Sequence, residues 1–474
     1  MLTFIVLTVS IWTLLNLTDL ILRSCMCQPY IDFLSYRNLE VKSFRIEWFT
    51  TRLNHYFNCN SRRQSQWFEV GTIVSLCLMP VSFIFLIRTV ASLVSEILYA
   101  APSSSSMDLT PVLPGVNIPL SDLPFYLSTL VLCGVLHEFG HALAASWEGV
   151  RINKVGAFII IIFPGAYVDL SSEVLSKVSP WRRIKIFSAG IWHNLVIAAV
   201  AWTLLVVDPV VLTPVFRAGV SVVSVVPDSG ADGPSGLWPG DEILSVNECK
   251  VDGYNDWQTC LMLYMRQPQL GGCLERNYVV GAATSASNSC CSGLESGSEL
   301  CFSLQPSFRS SEECLSARRT IIKFTRPCLN ETTCGETEVC ATPKLPHPKH
   351  RLVIIHRANV RQDMLFLGPP EHLWKFVRVA PYVPRTPIVS VQTLFYWETF
   401  LKYVMSFSGA LAFLNLMPCY SLDGTWILSA LIELLWGRRS PTRNQRLYNV
   451  IMFIGTTLVG VTVTLGLRKL FYII

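Results

Sequence analysis

The chain has 474 residues, 51% of them hydrophobic and 15% charged, with a net charge of +5 and a mean hydropathy of +0.41. Soluble domains carry about 25% charged residues, so this composition excludes a disordered, collagenous or nucleic-acid-binding protein and points to a membrane. Of the 16 cysteines, ten lie between Cys249 and Cys340 in a polar stretch. That clustering suits disulfides in a lumenal or extracellular compartment better than a metal-rich cytosolic module.

A membrane-crossing helix needs about 20 mostly apolar residues. In chain order the expected spans are Met1–Leu22, Thr72–Tyr99, Pro124–Trp147, Ile186–Val207, Tyr403–Leu422 and Leu447–Leu467. Met1–Leu22 lacks the basic start and small-residue cleavage site of a signal peptide and reads as a retained anchor. Residues 23–70 form a polar insert with seven Lys/Arg, and a short Ser-rich link, Ser103–Ser106, follows the second span. Val155–Val168 is apolar but too short to cross and contains Pro164-Gly165, which suits a re-entrant or interfacial segment.

Residues 208–395 have the composition of a soluble domain. The chain therefore divides into N-terminal spans with the polar loop and Ser-rich link (1–123), a membrane core (124–207), the large insert (208–395) and a C-terminal membrane core (396–474). Arg151, Lys154, Lys177, Arg182, Arg183 and Lys185 in one loop, and Arg438, Arg439, Arg443 and Arg446 in another, put both loops on the cytosolic face. The 186–207 span then delivers the insert to the lumen. There Asn330-Glu331-Thr332 is a usable glycosylation acceptor at Asn330.

His137-Glu138-Phe139-Gly140-His141 is an HExxH motif inside the third expected span. On a helix, residues four apart share a face, so both imidazoles can reach one Zn²⁺, and Glu138 beside them can act as general base. The plain alternative is a pair of core histidines. Burying ionisable groups in lipid costs about 2.5 kcal/mol or more each, which favours function. Ala144 and Trp147 stand where the metzincin pattern needs Gly and His, so the third ligand lies elsewhere. Asp423 is the other acid within a long apolar span, in Asn415-Leu416-Met417-Pro418-Cys419-Tyr420-Ser421-Leu422-Asp423-Gly424. Pro418 removes a backbone donor and Gly424 loosens the chain, so the helix is expected to open there, beside protein or a water-filled cavity. A helix-capping aspartate at a membrane surface is the competing reading.

Gly190-Ile191-Trp192-His193-Asn194 lies in the fourth span. Gly190 allows close helix approach, and Asn194 is a costly amide in lipid. Asn194 and Asn415 can donate to an oxyanion or hold an extended substrate backbone; a helix-packing amide is equally compatible with the sequence. His193 reads as a packing residue, and Asp169 and Glu173 as solvated or interfacial acids.

In the insert, Val220–Val226 alternates like a strand. Pro227-Asp228-Ser229-Gly230 and then Gly236–Asn247, with Gly240-Asp241-Glu242-Ile243, follow. A strand, a turn and a Gly-Asp-x-Ile strand start resemble a PDZ domain, a fold that adds an extended peptide to a sheet edge. A generic hairpin is the competing reading. The sequence thus describes a polytopic α-helical membrane protein with a lumenal PDZ-like β-rich domain and a Cys-rich insert.

The HExxH span, the Gly-x-x-x-Asn span and the Asn-x-x-Pro-x-x-x-Leu-Asp-Gly span, in that order, resemble the site-2 protease family of intramembrane zinc metalloproteases. The Cys-rich region and Ser-containing link are similar to those of larger animal members. The resemblance implies that His137, His141 and Asp423 bind one Zn²⁺ and that Glu138 is the general base. It also implies a multi-pass Golgi membrane protein, with the endoplasmic reticulum as the alternative. The implied substrates are membrane-anchored transcription factors already cut once in the lumen: sterol regulatory element-binding proteins and ER-stress activating transcription factors. Two other functions compete. One is a non-catalytic membrane scaffold whose PDZ-like domain binds peptides. The other is a transporter with an ion site at the Pro418–Asp423 break, against which the lack of a repeat-related second break speaks.

Overall fold

A computed structural model describes residues 2–52, 62–99, 117–282, 290–291, 299–308, 310–358, 362–386, 389–437 and 441–472. Ser103–Ser106, Arg438 and Arg439 lie outside the described residues. The chain divides into two units, residues 1–207 with 398–474, and residues 208–397.

The first unit opens with α1 (Leu2–Ser24), α2 (Gln28–Arg37), β1 (Leu39–Lys42), β2 (Arg45–Thr50) and α3 (Arg62–Tyr99). Next come α4 (Leu123–Trp147), β3 (Ile152–Ile160), β4 (Phe163–Leu170), α5 (Ser172–Lys177) and α6 (Pro180–Val211). Pro124 and Pro180 stand in the first turns of α4 and α6, where a missing N–H costs nothing. β1 to β4 form one antiparallel sheet in chain order, with β4 at its edge.

The 155–168 segment is therefore a β-hairpin. Its partner, β2, comes from residues 23–70, which the sequence presents only as a polar insert. Two glycines carry the pairing. Gly156 lies opposite Tyr167 and Gly165 opposite Phe158, and each aromatic ring lies over the glycine facing it. Ring-over-glycine pairs of this kind pin strand register. At the hairpin tip, Ile159 to Phe163 are all more than a third exposed. Five consecutive exposed apolar side chains are a lipid-compatible surface rather than an aqueous one, in keeping with an interfacial segment. The indole N–H of Trp12 donates to the Ile161 carbonyl at 2.9 Å, which ties α1 to that tip.

The second unit runs β5 (Phe216–Val225), β6 (Glu242–Val246), β7 (Cys249–Lys250), α7 (Tyr254–Arg266), β8 (Gly271–Glu275), α8 (Arg276–Ala282), β9 (Glu299–Phe308) and β10 (Ser310–Ser316). It continues with α9 (Ala317–Ile322), β11 (Pro327–Cys328), β12 (Glu338–Pro343), β13 (Arg351–Arg357), β14 (Met364–Gly368), α10 (Pro370–Phe376) and β15 (Val377–Pro384). A six-stranded sheet has the order β14-β13-β6-β5-β15, with β7 added on β6. Its core packs Val220, Val222, Ile243 and Val246 against Trp257 and Leu261 of α7 and Leu373 of α10. The Cys-rich stretch builds a separate five-stranded sheet, β10-β9-β12-β8-β11, around Leu274, Phe302, Leu304 and Val339. Five disulfides join all ten of its cysteines: Cys249–Cys260, Cys273–Cys334, Cys290–Cys301, Cys291–Cys314 and Cys328–Cys340.

The first unit is completed by α11 (Val391–Asn415), α12 (Asp423–Trp436) and α13 (Pro441–Tyr472). The helix opens around Pro418, as expected for the 403–422 segment: α11 stops at Asn415, and a new helix starts at Asp423. The intervening backbone satisfies itself, with Cys419 N–H donating to Met417 O, Leu422 N–H to Cys419 O and the Thr425 hydroxyl to Cys419 O at 2.6 Å. Non-helical chain enclosed among apolar helices has to be satisfied locally in this way. Gly424 is required there because a Cβ would meet the Met417 and Leu416 carbonyls. Among the described residues, five helical segments are long and apolar enough to cross a membrane: Val6–Ser24, Gln66–Leu98, Leu120–Trp147, Pro180–Val211 and Pro441–Lys469.

Crosslinks in the second unit close loops of very different length. Cys273–Cys334 spans 61 residues and Cys249–Cys260 spans 11. By chain entropy these contribute about 4 and about 3 kcal/mol. Replacing the Cys273–Cys334 pair with serine should therefore sensitise residues 208–397 to protease at lower urea than replacing Cys249–Cys260, in full-length protein held in detergent.

Candidate metal centre

α4 brings His137, Glu138 and His141 to the interior of the first unit, with the two histidines 5% and 7% exposed. Asp423 arrives from the other side of the sequence as the first residue of α12. A helix N-terminus carries partial positive charge, which suits an ionised carboxylate. Asp423 Oδ2 lies 3.0 Å from His137 Nε2 and 3.2 Å from His141 Nε2, and the two Nε2 atoms are 3.1 Å apart. Three lone-pair donors thus converge on one point. Ligands about 2.0–2.1 Å from a tetrahedral Zn²⁺ are themselves about 3.3 Å apart, so this donor set fits zinc with little adjustment.

Both imidazoles are held from behind by α6. His141 Nδ1 lies 2.8 Å from the Ile186 carbonyl oxygen, and His137 Nδ1 lies 3.1 Å from the Asn194 carboxamide. Ile186, Gly190 and Asn194 are spaced by four, so they form one ridge along α6. That ridge meets the pair His137 and His141, also spaced by four. Gly190 sits at the crossing. A Cβ there would lie 2.8 Å from His137 Nε2 and inside contact distance of His141 Nε2.

Glu138 turns toward the sheet, where its Oε2 accepts the Val168 N–H of β4 at 3.1 Å. Below the site, the Glu148 carboxylate at the end of α4 pairs with Arg182 and, at 2.9 Å, with Lys185 of α6. Glu148 and Lys185 are both less than a tenth exposed, so this pair ties the histidine-bearing helix α4 to α6 in a desolvated setting.

The structure therefore brings His137, His141, Asp423 and Asn194 into one cluster, with Glu138 alongside. Asn415 lies buried at the last turn of α11, just before the break. His193 points away from the cluster, with Nδ1 on its own helix at the Ala189 carbonyl and the ring against Trp67 and Phe68. Glu173 is an exposed partner of Lys177. Asn330 is exposed, its side-chain oxygen accepting from the Thr332 hydroxyl at 2.6 Å. Sequence reasoning missed Val168 and Ile186, because both act through backbone atoms. The available signal was the four-residue step from Gly190 back to position 186.

Long apolar helices thus carry a buried His₂Asp cluster with an adjacent glutamate, the side chains that HExxH metal sites use. The chain belongs to Peptidase family M50, the site-2 protease family, whose profile matches residues 125–459. Members of this family are zinc metalloproteases. A curated relative described as a membrane-bound transcription factor site-2 protease homolog, from Arabidopsis thaliana, is 33% identical over 194 residues. That match covers 40% of this chain and 36% of the relative, so the chain spans about a third of the length of the curated relative it matches.

The crossing at Gly190 generates a prediction. Gly190→Val should leave the purified protein with little bound zinc, because its side chain displaces both imidazoles. Gly460→Val, on α13 with open space around its Cα, should keep a full complement by elemental analysis.

Proposed function

We propose that this protein cleaves a peptide bond within the transmembrane helix of membrane-anchored proteins, using one Zn²⁺ held by His137, His141 and Asp423. The convergence of these three donors beside Glu138, on an apolar helix, carries the reading. Zinc in this site supplies a polarised scissile carbonyl and a water acidified to near neutrality. Glu138 uses one carboxylate oxygen on Val168, which leaves Oε1 to take a proton from the attacking water and pass it to the departing amine. His141 lies six residues before Trp147, so at about 1.5 Å per residue the reaction takes place roughly 10 Å from that end of α4.

A helical peptide bond is shielded by its own hydrogen bonds, so the substrate has to unwind before attack. Among the described residues no strand pairs with the outer side of β4, and beyond the Val168 N–H held by Glu138 an unwound segment can lie along it in extended form. Asn415, at the end of α11, is the residue assigned to hold that segment. Helix breakers near the cut lower the cost of unwinding, since Gly costs about 1 and Pro about 3 kcal/mol in a helix.

The second unit is read as lumenal, supported by its five disulfides, the Asn330 sequon and the basic loops at residues 151–185 and 438–446. The PDZ-like reading is supported by β5 and β6, which follow the strand–turn–strand order it rests on. By resemblance, the substrates are sterol regulatory element-binding proteins and ER-stress activating transcription factors, released after a first lumenal cut in the Golgi membrane. The non-catalytic scaffold is disfavoured by Glu138, because a structural metal site has no use for a base.

Two measurements test this. Glu138→Gln should bind zinc and a pre-trimmed, membrane-anchored substrate in liposomes yet yield no product, and replacing the substrate's helix breakers with Leu should slow cleavage without abolishing binding. Turnover by Glu138→Gln at the parent rate refutes the assigned base. In cells, Asn330→Gln should remove a glycosidase-sensitive gel shift; an unshifted parent protein places the second unit on the other side.

A further inference from the structure

The carboxamide of Asn194 is fully buried and meets one face of His137, with Nδ2 placed 3.1 Å from His137 Nδ1 and its own Oδ1 left without a hydrogen-bond partner. Both details have one remedy. His137 Nε2 faces Asp423 and His141 at 3.0 and 3.1 Å, so it is the nitrogen that offers a lone pair to a cation. A neutral imidazole that gives Nε2 to a cation carries its proton on Nδ1, and that N–H then needs an acceptor. A carboxamide nitrogen cannot accept. Turning the Asn194 amide by 180° exchanges its two nearly isosteric ends and places Oδ1 against Nδ1–H. The turn supplies the acceptor and removes the orphaned buried oxygen in one step.

We propose that Asn194 is a positioning residue that accepts the Nδ1–H of His137 through its side-chain oxygen, and so fixes the tautomer and ring plane that leave Nε2 bare for zinc. The neighbouring ligand gives an internal parallel. His141 Nδ1 lies 2.8 Å from the Ile186 carbonyl, an atom that can only accept, so His141 is held in the same tautomer by backbone. α6 thus sets both rings from one ridge, with a main-chain oxygen at 186 and a side-chain oxygen at 194. The two partners differ in kind: a main-chain oxygen of α6 reaches His141, whereas His137 meets a short polar side chain four residues beyond the glycine.

The inference rests on the zinc reading above, and the experiment separates the two. Zinc affinity is measured by chelator competition on purified full-length protein in detergent, with the absorption spectrum of the cobalt-substituted protein as a second readout. The parent protein should bind one equivalent, and His141→Ala should bind none; a parent protein without affinity for zinc refutes the metal site itself. Asn194→Leu, which keeps the volume and removes the acceptor, should bind zinc 10- to 100-fold more weakly and alter the cobalt spectrum. Asn194→Asp, an acceptor of the same shape, should bind at least as tightly as the parent with an unaltered spectrum. Parent-like affinity in Asn194→Leu overturns the proposal. If Asn194→Leu does not fold, Asn194→Asp decides: a tenfold loss of affinity in a folded Asn194→Asp shows that the amide N–H, not the oxygen, is what His137 requires.

Discussion

Everything in the first unit depends on how closely α4 and α6 approach. With no side chain at Gly190, the two histidines of α4 can lie directly on the ridge formed by Ile186, Gly190 and Asn194. In lipid there is little hydrophobic force between helices, so packing of small residues and interhelical hydrogen bonds carry the association. Here the same contacts that join the helices also orient the donors. The Glu148–Lys185 pair pins the register about two turns past His141, and a slip of a single residue would carry both Nε2 atoms away from Asp423.

A second constraint is that polar backbone at membrane depth has to be enclosed. The break between Asn415 and Asp423 satisfies it with short turns and the Thr425 hydroxyl, and other helices close over it. The Ser82 hydroxyl of α3 reaches Met417 Sδ at 3.2 Å, and Gly455 of α13 packs on the Pro418 carbonyl. On α11, Ser408 donates to Cys133 Sγ of α4 at 3.0 Å. Asp423 is thereby held at a helix start whose position is fixed from three directions.

The parts that the sequence discloses are those that violate the economy of a membrane span. His137, Glu138, His141 and Asp423 stand out because ionisable groups in apolar helices are costly, and Pro418 with Gly424 marks the break for the same reason. The four-stranded sheet is far less legible. A short apolar run such as 155–168 fits helix or strand equally well, and its partner strand lies more than a hundred residues upstream within an unremarkable polar stretch. Residues 403–422 carry no charge, so composition alone reads a span there, and only Pro418 and Gly424 disclose that the helix ends within it. Backbone partners such as Ile186 O and Val168 N carry no signature in the side-chain sequence. The second sheet in the Cys-rich stretch is hidden because cysteine spacing does not specify connectivity.

The separation of the donors along the chain has a consequence for biosynthesis. His141 and Asp423 are 282 residues apart, and the whole second unit is made between them. At about 5–20 residues per second, the ribosome takes roughly a quarter of a minute to a minute to travel that distance. Throughout that interval the nascent chain carries the histidine pair and the glutamate but no carboxylate to complete the cluster. The insert, with all ten of its cysteines, is synthesised before the last donor. The three-donor cluster is therefore completed only after the whole second unit has been synthesised.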